Sequence, residues 1–125
     1  MDDHMFSQII DNALDSLPTE FKEKISNVSV RFDDWPTSMQ LKKAGVTHGL
    51  LLGLYEGMPK TKGAHYRLKL PDTITLFKYP LLRISRSYDE FLVNVRNTLI
   101  HEIGHHFGMD EEAVRSAEAK RFQRS

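Results

Sequence analysis

His101-Glu102-Ile103-Gly104-His105-His106-Phe107-Gly108-Met109-Asp110-Glu111 is the stretch on which the reading of this chain turns. Its first five residues follow the pattern H-E-x-x-H. On a helix, residues four apart stand one above the other on one face. His101 and His105 are therefore placed to hold one zinc ion together, each through a neutral ring nitrogen. Glu102 stands beside the first histidine, where its carboxylate can take a proton from a metal-activated water. The pattern is that of a zinc hydrolase.

The preceding residues fit a helix. Phe91, Leu92, Val95, Leu99 and Ile103 recur at three- and four-residue steps, an apolar stripe that packs inward. Asn94, Thr98, His101 and His105 fall on a separate stripe, facing a cleft. Ser87 is a candidate cap, with Asp89 and Glu90 favourable in the first turn. Gly108 ends the helix, because glycine enters the left-handed conformation of a helix stop cheaply. The alternative for these histidines is an ordinary amphipathic helix with surface imidazoles; the whole constellation favours the metal.

A hydrolytic zinc takes three protein ligands and leaves a fourth position open. Glu111 stands ten residues beyond His101, after the glycine turn, and is the first choice for the third. Asp110, Glu112 and Glu118 compete, and acidic residues beginning a helix are also expected for capping alone. Asp110 is read as the cap of a last helix reaching about Arg121. His106 points about 100° from His105, toward the core side, as a hydrogen-bonded histidine or a partner of the ligands. His4, His48 and His65 are scattered and carry no assignment. Tyr79, Tyr88, Arg83, Arg86 and Arg96 are placed at random with respect to the motif, and packing or surface roles suit them better than oxyanion binding.

Composition sets the frame. The chain has 125 residues, enough for one domain, and no cysteine, so any metal ligands are histidine or carboxylate. The N-terminal Met1-Asp2-Asp3-His4 lacks the basic and apolar regions of a signal peptide, and no apolar run is long enough for a bilayer. A cytoplasmic protein is expected. Net charge is zero but uneven: −5 over residues 1–34, +7 over residues 40–88 and −2 over residues 89–125. The basic middle suits either a solvated face or lysine-protected edges, or an acidic partner such as nucleic acid; the first is preferred.

Along the chain, residues 3–17 show helical periodicity and stop before Pro18. A short helical turn follows at 19–25. Val28, Val30 and Phe32 alternate as a strand, and Trp35 beyond it is read as a core plug. Residues 37–44 form a short helix before Gly45, and 50–55 a strand. Residues 57–71 read as an exposed loop. Residues 74–79 alternate as a strand ended by Pro80, and 81–84 as a further short strand or extended turn. The strand at 73–79 is a candidate sheet edge on which a peptide substrate could add. The order predicts an α+β fold, a small mixed or antiparallel sheet with helices on one side.

Three segments carry a resemblance to a known family. Leu51-Leu52-Gly53-Leu54-Tyr55-Glu56-Gly57, Pro71-Asp72-Thr73-Ile74-Thr75-Leu76-Phe77 and Leu99 to Gly108 resemble segments of the minimal zincin-like metallopeptidases of bacteria. The resemblance covers most of the chain and implies a compact zincin-like domain. It makes His101 and His105 metal ligands and Glu102 the catalytic glutamate. The family has aspartate where Glu111 stands here. Metzincins, which share the glycine turn, carry a downstream methionine turn; this chain has only Met109 beside the glycine.

The expected function is a zinc-dependent peptidase acting on peptide or protein substrates. The alternative is a catalytically weak metal-binding or protein-interaction module on the same fold, against which Glu102 argues, because a structural site needs no general base. A zinc-dependent nuclease is third, since small ribonucleases with H-x-x-x-H helices use a third histidine downstream and none follows His106.

Overall fold

A computed structural model describes residues 1–57 and 71–120. The elements run α1 (Asp3–Asp15), α2 (Thr19–Lys24), β1 (Val28–Asp33), α3 (Ser38–Lys43), β2 (Gly53–Glu56), β3 (Asp72–Phe77), α4 (Lys78–Ile84), α5 (Tyr88–His106) and α6 (Glu111–Lys120). The exposed loop expected at 57–71 lies almost wholly outside the described residues.

The helix ends follow local chemistry. Asp2 caps α1 by accepting from the Met5 amide, and Thr37 with Gln40 forms a reciprocal capping box on α3. Ser87 caps α5 through the Glu90 amide, and Asp110 caps α6 by accepting from the Ala113 amide at 2.8 Å. Gly108 takes φ 64° after α5, and the Met109 amide reaches back to the Gly104 carbonyl at 2.9 Å. That six-to-one bond is a Schellman stop, and it turns the chain so that α6 packs back along α5.

The sheet has the order β1-β3-β2, with β1 parallel and β2 antiparallel to β3. The mixed α+β architecture agrees with the sequence. The edge expected at 73–79 does not: β3 is the central strand, paired on both sides, so no peptide can add to it. Its alternation misleads because Ile74, Thr75, Leu76 and Phe77 are all buried; a central strand covered on both faces has no polar face. The strand also ends at Phe77, and residues 78–84 form α4 rather than more strand. Pro80 is in the first turn of α4, where the amide it lacks is not needed.

α5 is the hub. It contacts α1, α2, α4, α6, β2 and β3, and Phe91, Val95, Leu99, Ile100 and Ile103 are buried in one core with Phe6, Phe21, Ile74, Leu76 and Leu81. Arg96 is buried too. Its Nε and Nη2 donate to Ser16 Oγ and O, and its Nη1 donates to the Ala117 carbonyl at 2.8 Å. The guanidinium thus ties the end of α1 and the second turn of α6 to α5, a structural role. Trp35 is not a core plug: it is 48% exposed and stacks on Tyr79 with ring centres 5.7 Å apart. No helix among the described residues is long and apolar enough to cross a membrane.

Candidate functional site

Residues 101–106 form the last turn and a half of α5. His101 and His105 are exposed on one side of the helix, with ring centres 6.3 Å apart. Glu102, projecting to one side of that pair, is half-buried and turned toward the sheet.

What meets Glu102 is an edge strand. The Phe77 amide donates to the Leu52 carbonyl, so in the antiparallel β2–β3 register Leu54 points its amide and carbonyl at β3. Gly53 and Tyr55, of opposite parity, point theirs outward. The outward Tyr55 amide donates to Glu102 Oε1 at 2.8 Å. The edge of the sheet beside the motif is therefore β2. Burial pushes the Glu102 carboxyl up, while the Tyr55 amide and then the two imidazoles pull the other way; the net shift is upward. Gly53 lets β2 come this close, because a Cβ there would lie 2.7 Å from the Thr98 methyl of α5.

Tyr55 is itself held. Its hydroxyl donates to Asp72 Oδ2 at 3.0 Å, and its ring stacks on His106 with centres 3.6 Å apart. His106 Nε2 lies 3.8 Å from the same Asp72 oxygen. His106 is thus partly exposed and packed on β2, rather than turned into the core. Burial, the hydrogen bond to Asp72 and the Asp72 charge push the Tyr55 phenol up to about 12. Folding thus favours the protonated phenol. Its contribution to stability is complete below pH 10 and drains away between pH 10 and 12. The thermal midpoint is expected to fall more steeply over that range in wild type than in Tyr55→Phe, as read by circular dichroism melts.

The carboxylates after the turn are placed by the α5–α6 register. Gly104 lies opposite Val114, and Glu118 Oε1 lies 3.3 Å from His101 Nε2. The two helices therefore run antiparallel, and Glu111 sits near the level of the Gly108 turn. The Glu111 side chain is 93% exposed and 3.9 Å from Arg115. Seven residues along a helix is about 10 Å, which separates Glu111 from the place Glu118 occupies. The structure brings Glu118, not Glu111, to His101, and leaves Asp110 to its cap.

The donor set suits zinc. Two imidazoles and a carboxylate are borderline-soft nitrogen and hard oxygen ligands of the kind hydrolytic zinc takes. Two atoms bound tetrahedrally at about 2.05 Å stand about 3.3 Å apart, the spacing found between His101 Nε2 and Glu118 Oε1. As the side chains are turned, no three histidine or acidic groups among the described residues converge on one point.

Comparison with known proteins decides the family. The zincin-like metallopeptidase family matches residues 25–121, most of the chain. The chain belongs to that family. No curated protein matches it. Among solved structures, the zincin-like chain is similar to a conserved hypothetical protein of T. thermophilus, with 22% identity and a TM-score of 0.56 over 84% of this chain and 92% of that one. That likeness is one of fold. The matched span of the zincin-like family includes β1 to α6, and so the whole α5–β2 junction around Glu102.

Proposed function

We propose that the chain is a zinc-dependent peptidase, with His101, His105 and Glu118 as metal ligands and Glu102 as general base. The observation that carries this reading is the setting of Glu102. Its carboxylate is beside the two motif histidines, raised by burial, and hydrogen-bonded to the outward amide of an edge strand. When bound, zinc would supply Lewis acidity, polarising the peptide carbonyl and acidifying water.

Glu102 does the proton work. A carboxylate whose affinity for a proton is raised takes it from the attacking water and returns it to the leaving amine. Of the outward groups on β2, those of Gly53 are buried against α5, and the Tyr55 carbonyl is the main-chain partner offered to an extended substrate. On adding a non-cleaved peptide, hydrogen exchange in β2 is expected to slow while β3 stays unchanged. Slowing in β3 alone would count against this placement.

A second reading is a metal-binding or interaction module without turnover. It draws on the side-chain arrangement, in which three ligands do not yet converge. Four of the nine basic residues behind the nuclease alternative fall at 60–69, outside the described residues, and Lys78 of the same stretch is buried on Asp3 at 3.1 Å.

The test is zinc content and casein or peptide-library cleavage, side by side, for wild type and Glu102→Gln. Zinc in both with cleavage reduced by about a hundredfold or more in the variant is the expected result. Zinc in both with cleavage in neither favours the module. No zinc in either after reconstitution removes the metal site and the peptidase with it.

A further inference from the structure

A cavity of about 270 Å³ opens beside the motif, between α5 and the chain leading into β2. Leu51, Leu52 and Gly53 form one wall. Asn94, Asn97 and Thr98 form the other, and His101 with Glu102 close one end. Apart from that end, the lining holds no charge among the described residues.

Its floor contains a defect. Asn97 Oδ1 is buried and has no hydrogen-bond partner among the described residues. The neighbouring polar groups are already engaged: Asn94 Nδ2 donates to Ser85 Oγ at 3.0 Å, and Thr98 Oγ1 donates to the Asn94 carbonyl at 2.7 Å. A buried acceptor left unpaired is destabilising, and the packing gains nothing visible from it. Residues 97 and 101 are one turn apart, about 6 Å along α5, within the reach of a side chain near the bond to be cut. Asn97 lines the cavity, and the χ2 torsion of asparagine is soft, so its carboxamide can turn toward a bound group.

We propose that this cavity is a side-chain subsite for the carboxamide residues glutamine and asparagine of a peptide substrate, and that Asn97 is the residue that selects them. The proposal rests on the peptidase reading above. A carboxamide brings an N–H for the unpaired Oδ1 and apolar carbons for the Leu51 and Leu52 wall. An aliphatic side chain leaves Oδ1 unpaired, and the site then rejects it as a site built for hydrogen bonding rejects an analogue without the group. An ammonium or guanidinium can also donate to Oδ1, but burying its charge costs more than burying a neutral carboxamide, and a carboxylate finds no lysine or arginine in the described lining.

The experiment uses the metal-free full chain and blocked pentapeptides Ala-Ala-X-Ala-Ala with X as Gln, Asn, Leu, Lys or Ser. Affinity is read by titration calorimetry, and contact by the Asn97 side-chain amide signals in nuclear magnetic resonance spectra. The Gln and Asn peptides are expected to bind about tenfold more tightly than the Leu peptide and to shift those signals. In Asn97→Leu the preference falls to within about twofold while the thermal midpoint does not drop; Asn97→Ala repeats the measurement with a smaller side chain. Equal affinities, no binding by any peptide, a preference for Leu, Lys or Ser, or a Gln preference that survives both substitutions overturns the proposal. Cleavage of the same peptides by the zinc-loaded wild type separates the two readings. A Gln preference in binding without cleavage leaves the subsite and removes the peptidase. Cleavage without preference does the reverse.

Discussion

Replacing Glu118 by glutamine is expected to weaken zinc binding by about a hundredfold or more, while Glu111→Gln leaves it within about twofold of wild type. Loss of an outer partner alone typically costs about ten- to hundredfold in metal affinity, so loss of a ligand sets a higher floor. The contrast comes from placement. Glu118 Oε1 lies 3.3 Å from His101 Nε2, and Glu111 is 93% exposed beside Arg115. Both substitutions remove one negative charge from α6, so a long-range electrostatic effect would lower affinity similarly in the two. A Glu118 that merely supported His101 would separate them by about ten- to hundredfold, and direct ligation by more. Competition with a chromogenic chelator measures it, and the opposite ranking would return Glu111 to the site and Glu118 to a surface pair.

The same contrast shows why the motif was legible and its completion was not. H-E-x-x-H is a property of one helix, and the periodicity of Phe91, Val95, Leu99 and Ile103 fixes which way that helix faces. Gly108 and Asp110 likewise announce a stop and a start within a few residues. The third ligand depends on how two helices cross after the turn, and Glu111 and Glu118, seven apart, lie on nearly the same stripe of α6. Sequence spacing cannot tell which turn of α6 lies level with His101. One signal was present: Gly104 inside the motif, a helix-interior glycine that costs stability unless something packs close. The sheet shows the same limit. Val28 to Phe32 and Ile74 to Leu76 are readable as strands, but strand order is set by pairing between distant segments. Nothing local marks 72–77 as central, nor β2 as the edge that reaches Glu102. Pro80 reads as a stop when its neighbours are taken as strand, and as a first-turn residue once Phe77 ends the sheet.

Gly104 therefore carries a prediction of its own. A Cβ at this position would lie 2.7 Å from Val114 Cγ2. Valine is branched at Cβ and held to few rotamers in a helix, so it cannot simply turn aside. Gly104→Ala must push α6 away from α5. Helix propensity favours the alanine by about 1 kcal/mol, whereas overpacking in a close contact costs about 1–3 kcal/mol, so the net effect on stability is expected to be a modest loss. The effect on the metal is expected to be larger. Glu118 reaches His101 only because α6 lies against α5, and Ala117, its neighbour, is held by Arg96 through its carbonyl. A displacement of α6 by even a few tenths of an ångström at Val114 moves the carboxylate relative to the imidazoles, and zinc affinity should fall about tenfold or more. The double substitution Gly104→Ala with Val114→Ala removes the obstructing methyl groups and is expected to recover most of the lost affinity, while remaining less stable because buried apolar surface is gone. Such a split, metal binding restored without stability, would show that the glycine serves the position of α6. If Gly104→Ala binds zinc as wild type does, the close approach of the two helices is not what assembles the site, and Glu118 loses its claim on the metal.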